Sequence, residues 1–278
     1  MTEPSLPVIP RYPHIHCLLY GESGSGKSSF WATAIRYWAQ VFNEPSLVMT
    51  FDPWDKATPY RELGAVQPNE DAYYKQLGIE VDDIVDDNKN VIVRIEYYAE
   101  PVPDDPKAYD IFESRMRGFE AQARSWASVA IDSMTFMQRA SLLRWKKVNP
   151  LESTKQHSNL SWYGGMAEDA TNTVMSRACW WKTNVCIICH IDENKDDLAD
   201  FGAVRSVALA GKLSKRAPAG FGEVYRMRIV PSQKQNGEYL RELQTRGDTS
   251  WVANSLVAKA PNPCQPSYEA LWANWKVK

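Results

Sequence analysis

No stretch of this sequence approaches the roughly 18 consecutive apolar residues that a membrane-spanning helix needs. Cysteine is sparse as well, with five in 278 residues. The first shortage argues against a membrane protein. The second, an odd set of cysteines lying mostly in apolar or helical contexts, argues against a disulfide scaffold and for reduced thiols. The opening MTEPSLPVIPRYPHIH lacks the charged-then-apolar layout of a secretory signal. A cytoplasmic protein is therefore expected. Net charge is nearly missing too: 32 Lys and Arg meet 34 Asp and Glu, a formal −2. That sum excludes a protein that coats duplex DNA through charge alone.

What is present suits a sizeable core: 44% of residues are hydrophobic and 24% charged, proportions that favour one large domain spanning 1–278. Pro4, Pro7, Pro10 and Pro13 make residues 1–13 an extended arm. His14–Tyr20 then reads as a buried strand, Gly21–Gly26 as a glycine-serine loop, and Lys27–Phe42 as a helix with one broad apolar face. A second strand, Ser46–Phe51, leads into a proline-bearing loop, and strand-helix-strand is a parallel unit. Residues 66–113 look like an acidic, partly irregular insertion, interrupted by a strand at Val91–Ile95. A helix over Pro106–Trp126 and the strand Ser128–Asp132 follow, then another helix. Trp162–Gly165 opens a helix that runs to Lys182, ahead of the strand Val185–His190. Residues 192–222 show no periodicity and read as a mobile loop; Glu223–Val230 and Glu238–Arg246 alternate like a hairpin joined through Asn236-Gly237. A short amphipathic helix, Pro266–Trp275, closes the chain.

One motif carries chemistry outright. Gly21-Glu22-Ser23-Gly24-Ser25-Gly26-Lys27-Ser28 fits G-x-x-x-x-G-K-[ST] at every defined position, with Ser29 following. Wrapping a polyphosphate takes several backbone N–H groups at once. Glycines are needed where a side chain would block approach or φ must be positive, and a helix N-terminus adds donors. In this pattern Lys27 neutralises the β and γ oxygens and the Ser28 hydroxyl joins the Mg²⁺ sphere. ATP with Mg²⁺ is the expected ligand. Val129-Ala130-Ile131-Asp132, an apolar strand ending in a carboxylate, adds Asp132 as the second metal residue. A strand-end Asp serves equally as a cap for the next helix, and only the loop upstream tips the balance. Ser133, not Glu, follows it, so the carboxylate that activates water has to come from elsewhere.

With its GESGSGKSS loop, VAIDS strand, WYGG segment and VCIICH strand, the chain resembles RecA-like phage ATP-binding proteins, core-only recombination and annealing ATPases, over roughly residues 14–260. The resemblance implies a RecA-like P-loop NTPase: α/β, a mainly parallel central sheet flanked by helices, and a C-terminal β-hairpin. It implies a carboxylate after the second strand that polarises the attacking water, with Asp55 as first candidate and Asp52 as second. Both are Asp where the family has Glu, so slow hydrolysis is expected. It implies an adenine-stacking aromatic at Tyr60, a γ-phosphate sensor at His190, and a ring or filament of identical subunits in which Arg246 or Lys259 completes a neighbour's site. Packing alone would also account for Tyr60, and a plain strand end for His190.

Cys186 and Cys189 spell C-x-x-C, but residues three apart on a strand face opposite ways and cannot share a metal. His14 and His16 share a face with no second ligand pair in sight. Residues 201–246 hold nine basic residues against three acidic ones, whereas 66–113 hold thirteen acidic against four basic. The near-neutral total thus conceals opposite districts. Lys212, Lys215 and Arg216 in the basic one are the candidates for gripping single-stranded DNA, the ordinary alternative being a solvated loop and hairpin. The expected function is that of an ATPase acting with single-stranded DNA, and with a single-strand binding protein as a further partner, in phage-type recombination, annealing or replication. A nucleotide-dependent switch with little turnover and a small-molecule kinase are the alternatives.

Overall fold

The computed structural model describes residues 14–98, 104–150, 158–191, 207–210, 213–232, 238–249, 251–256 and 260–272. Their strands, in chain order, are β1 (His16–Gly21), β2 (Ser46–Thr50), β3 (Ala65–Pro68), β4 (Glu80–Val85), β5 (Val91–Tyr97), β6 (Ser128–Asp132), β7 (Asn184–His190), β8 (Glu223–Pro231), β9 (Tyr239–Gln244) and β10 (Asn254–Ser255). All join one sheet in the order β10-β8-β1-β7-β6-β2-β5-β4-β3, with β9 also paired to β8. From β8 to β5 every pairing is parallel. The edges are antiparallel.

Side-chain alternation along the strands feeds two cores. Cys17, Leu19, Val48, Ala130, Cys186 and Ile188 face one side. There they meet helix α1 (Lys27–Phe42), whose apolar face buries Phe30, Trp31, Ala34, Ile35 and Trp38. Asn43, left-handed at φ 52°, ends α1 by donating its N–H to the Ala39 carbonyl. Leu18, Met49, Val129, Ile131, Ile187 and Cys189 face the other side. Cys186 and Cys189 therefore do lie in opposite cores.

Short helices α2 (Thr58–Arg61) and α3 (Ala72–Leu77) follow β2 and β3. On the second face stand α4 (Ala108–Met116), α5 (Phe119–Ala123), α6 (Met134–Val148), α7 (Ser158–Asp169), α8 (Ser176–Ala178) and α9 (Leu213–Arg216), and α10 (Tyr268–Trp272) packs beside α1 on the first. The fold class expected from the sequence, α/β with a mainly parallel sheet and a C-terminal hairpin, is the observed one.

Four local expectations are corrected. Residues 66–113 are not an irregular solvated insertion, because β3, β4 and β5 extend the sheet through them. Asp82, Asp83 and Glu96 there are tied down: Asp82 accepts from Tyr97 Oη, Asp83 is gripped by Arg94, and Glu96 pairs with the buried Arg115. The helix expected over Pro106–Trp126 is two, broken at Gly118 with φ +74°. Trp162–Gly165 lies inside α7 and does not open it; Gly165 is there because a Cβ would sit 2.3 Å from the Trp145 ring of α6. Finally, the described part of 192–222 is docked, with Leu209, Leu213, Ala217 and Phe221 in the core. Apolar side chains at irregular spacing hid that packing from a periodicity argument.

Candidate functional site: a phosphate loop at the carboxyl ends of parallel strands

Four parallel strands end together here. Register pairs Gly21 of β1 with His190 of β7, and Thr50 of β2 with Asp132 of β6, while Asp132 also sits beside Ile188. The chain leaving β1 turns through Gly24 at φ +73° and Gly26 at φ +95°, conformations that favour glycine, and enters α1 at Lys27. Gly21 is required for a different reason: a Cβ there would lie 2.3 Å from the Met227 carbonyl oxygen of β8. The loop is internally braced, since Ser25 Oγ donates to the Glu22 carbonyl at 2.8 Å. No side chain caps α1 and no acid occupies its first turn, so its amides and dipole are left for an anion.

Lys27 is buried and donates to the carbonyls of Gly21 at 2.9 Å and Glu22 at 2.7 Å. Burial lowers its pKa, opposed by the nearby Asp132 and Asp52 carboxylates. Ser28 Oγ donates to Asp132 Oδ2 at 2.6 Å. The same oxygen accepts from Tyr60 Oη at 2.8 Å. Burial and then the Asp52 charge push the Asp132 carboxyl above the ordinary carboxylate range. Such a crowded pair of acids is held in want of positive charge. Asp52 Oδ1 accepts from Ser133 N at 3.2 Å and Ser133 Oγ at 2.9 Å. Burial raises its pKa as well. Ser133 Oγ in turn accepts from Phe136 N and caps α6.

The donor set fits Mg²⁺. Ser28 and Asp132 offer hard oxygens within hydrogen-bonding distance of each other, one from a buried carboxyl whose charged form needs a cation. Among the described residues no group of three or more His, Cys, Asp or Glu forms an all-protein cage. Magnesium is typically held by one or two protein oxygens with waters and phosphates, which is the arrangement these residues allow.

Together these residues border a cleft of about 240 Å³, into which Ser23, Gly24, Ser29, Asp55, Lys56 and Pro59 also face. His190 closes one wall. Its backbone N–H donates to Thr135 Oγ1 at 3.0 Å, and its ring packs edge-on against Phe136. Burial, then the Lys27 charge, lowers the ring's pKa to about 4, so the imidazole is neutral at physiological pH. Its Nε2 is buried without a hydrogen-bond partner among the described residues.

Several expected residues fall elsewhere. Tyr60 cannot stack on adenine, because it is 0% exposed and its hydroxyl is spent on Asp132. Pro59 faces the cleft instead. The two water-activating candidates both border the cleft but differ in setting: Asp55 is exposed at the start of a 3-10 turn, whereas Asp52 stands next to Ser133, Lys27 and Asp132. Lys215 and Arg216 are exposed on α9. Arg246 is exposed just past β9, away from its own chain's cleft, its N–H donating to Asn262. Lys212 and Lys259 lie outside the described residues. Three cleft residues escaped the sequence reading: Lys56, Arg241 and Pro59. The second was legible in principle, since strand alternation puts Arg241 on the face of the buried Leu243.

Fold and site together define an α/β domain of the phosphate-loop class, with one strand, β7, between the loop strand β1 and the Asp132 strand β6. No family profile matches the sequence, and no curated protein matches it. Among solved structures, the chain is similar to a KaiC-like protein from the hyperthermophilic archaeon Pyrococcus horikoshii OT3, at 15% identity and a TM-score of 0.42 over 90% of this chain and 85% of that one.

Proposed function

We propose that the chain binds MgATP in this cleft and hydrolyses it slowly, as part of a homo-oligomer that engages single-stranded DNA. The observation that carries the nucleotide reading is the convergence of Lys27, Ser28 and Asp132 at the mouth of a glycine-rich loop that opens an uncapped helix. In this reading the loop amides and Lys27 hold the phosphates, and Ser28 and Asp132 hold the cation, which would offset charge on the phosphate oxygens. Asp52 accepts a hydrogen bond from the attacking water. His190 faces the phosphate end of the cleft as a neutral donor or acceptor.

The DNA and assembly parts have separate support. The segment after β7 is tethered to His190, since Ala208 N donates to the His190 carbonyl at 2.7 Å. It leads to the exposed Lys215 and Arg216. A nucleotide sensed at His190 therefore has a short physical route to cations suited to a phosphate backbone. Arg246, exposed and outside its own cleft, suits a role in a neighbour's site.

A second reading, an ATP-dependent switch with little turnover, is favoured by one observation: Asp52 Oδ1 already accepts two hydrogen bonds from Ser133. Single-turnover hydrolysis on preformed oligomers separates the two. Lys27→Ala is expected to abolish ATP binding, and normal affinity in that variant would refute the site. For the DNA part, ATPase rate is measured with and without single-stranded DNA at two salt concentrations. Stimulation that fades steeply with salt is expected; a rate and an oligomeric state both indifferent to DNA would remove the recombination role.

A further inference from the structure

We propose that Arg241 is a nucleotide-binding residue, supplied in cis by the C-terminal hairpin; this rests on the reading that the cleft takes MgATP. The hairpin overhangs the phosphate loop. Met227 of β8 pairs with Gly21, the loop's first residue, and two residues further on Ile229 pairs with Arg241 of β9. Arg241 shares its strand face with Leu243, which is buried in the same core as α1. One step beyond that core, the side chain reaches the loop.

The contact is close. A Cβ on Gly26 would lie 2.9 Å from Arg241 Cδ and 3.3 Å from its Nε, so the absent side chain makes room for the arginine as well as for φ +95°. Arg241 thus lines the cleft beside Lys27 and Ser29. The other two arginines of the hairpin are engaged on the opposite face. Arg228 is paired with Glu242 at 2.8 Å, and Arg226 lies 3.6 Å over the Trp251 ring. Arg241 is exposed and has no ion-pair partner among the described residues. A guanidinium kept without a carboxylate, next to amides that wrap a polyphosphate, has its planar fork of donors available for anionic oxygens. Occupancy of the cleft would then pull on β9 directly, without a neighbouring subunit.

Equilibrium binding of MgATP to the full chain tests this, comparing wild type with Arg241→Ala, Arg241→Gln and Arg241→Lys. The expected result is a loss of tenfold or more for Ala and Gln, a smaller loss for Lys, and unchanged thermal unfolding without nucleotide. Affinity within twofold of a wild type that does bind ATP would overturn the role of Arg241 and leave the ATP site standing. Absence of ATP binding by the wild type would remove both. Mixing Arg241→Ala with Lys27→Ala chains tests the cis assignment: no tight-binding population should appear. Recovery of one would mean that the arginine serves a neighbour.

Discussion

Asp132 shows how much a single position draws from its surroundings. One of its oxygens accepts from both Ser28 Oγ and Tyr60 Oη, and the Tyr60 ring is wholly enclosed. The tyrosine fixes the carboxylate's direction and lowers the cost of its charge. Tyr60→Phe is therefore expected to lose about 1 kcal/mol of stability in denaturant unfolding. It should also raise the Mg²⁺ concentration needed for half-maximal ATPase while leaving nucleotide affinity in EDTA unchanged. An unaltered Mg²⁺ dependence would assign Tyr60 to packing alone. His190 has the opposite electrostatic sense. Its folded-state pKa lies near 4, below the ordinary 6.5, so the unfolded chain takes up a proton that the folded ring refuses. Stability from this group is complete above pH 6.5 and is lost as pH falls towards 4. The melting temperature of His190→Gln should accordingly drop less than that of the wild type between pH 7.5 and 5.0; equal drops would refute the assignment.

At the scale of elements, β1, the loop and α1 were legible because period and punctuation agree: an apolar strand, six loop residues, then a 3.6-residue stripe starting at Lys27. The break at Gly118 is a local left-handed turn at φ +74° that a helical periodicity argument runs straight through, whereas the packing inside α7 depends on a neighbouring helix. Gly165 is the clearest case. Its helix crosses α6 at a point where Trp145 occupies the space of a side chain, and Trp145 cannot swing away freely because its Nε1 donates to Asp169 at 2.8 Å. Gly165→Ala improves helix propensity yet overpacks this contact. A net destabilisation of about 1–3 kcal/mol is expected by chemical denaturation, and a stabilised variant would show that α6 and α7 separate at no cost.

Across the whole molecule, the opposing charge districts of the sequence are partly consumed internally. Asp82, Asp83 and Glu96 are spent on Tyr97, Arg94 and Arg115, and Arg226 and Arg228 on Trp251 and Glu242. What remains outward on the basic side includes Lys215, Arg216, Arg241 and Arg246. The central sheet also makes the candidate site a property of the entire fold, since its walls come from the segments that follow β1 and β2 and from β6, β7 and β9. MgATP at a hundredfold its Kd should raise global unfolding free energy by about 2.7 kcal/mol. Thermal melts of wild type and Lys27→Ala with and without MgATP check this: the shift should vanish in the variant, and a shift that persists would place ATP elsewhere.

The succession of β1, the glycine-rich loop and α1, and the candidacy of Lys27, Ser28 and, with the loop upstream, Asp132, were legible in the sequence alone, because they follow from local periodicity or from a motif written in consecutive residues. Only the tertiary structure set Asp52 beside Ser133 and left Asp55 exposed, turned the Tyr60 hydroxyl to Asp132, and brought Arg241 to Gly26. Those outcomes depend on register and burial between segments tens to hundreds of residues apart, and no local pattern encodes which side chain of a loop or hairpin will face the cleft.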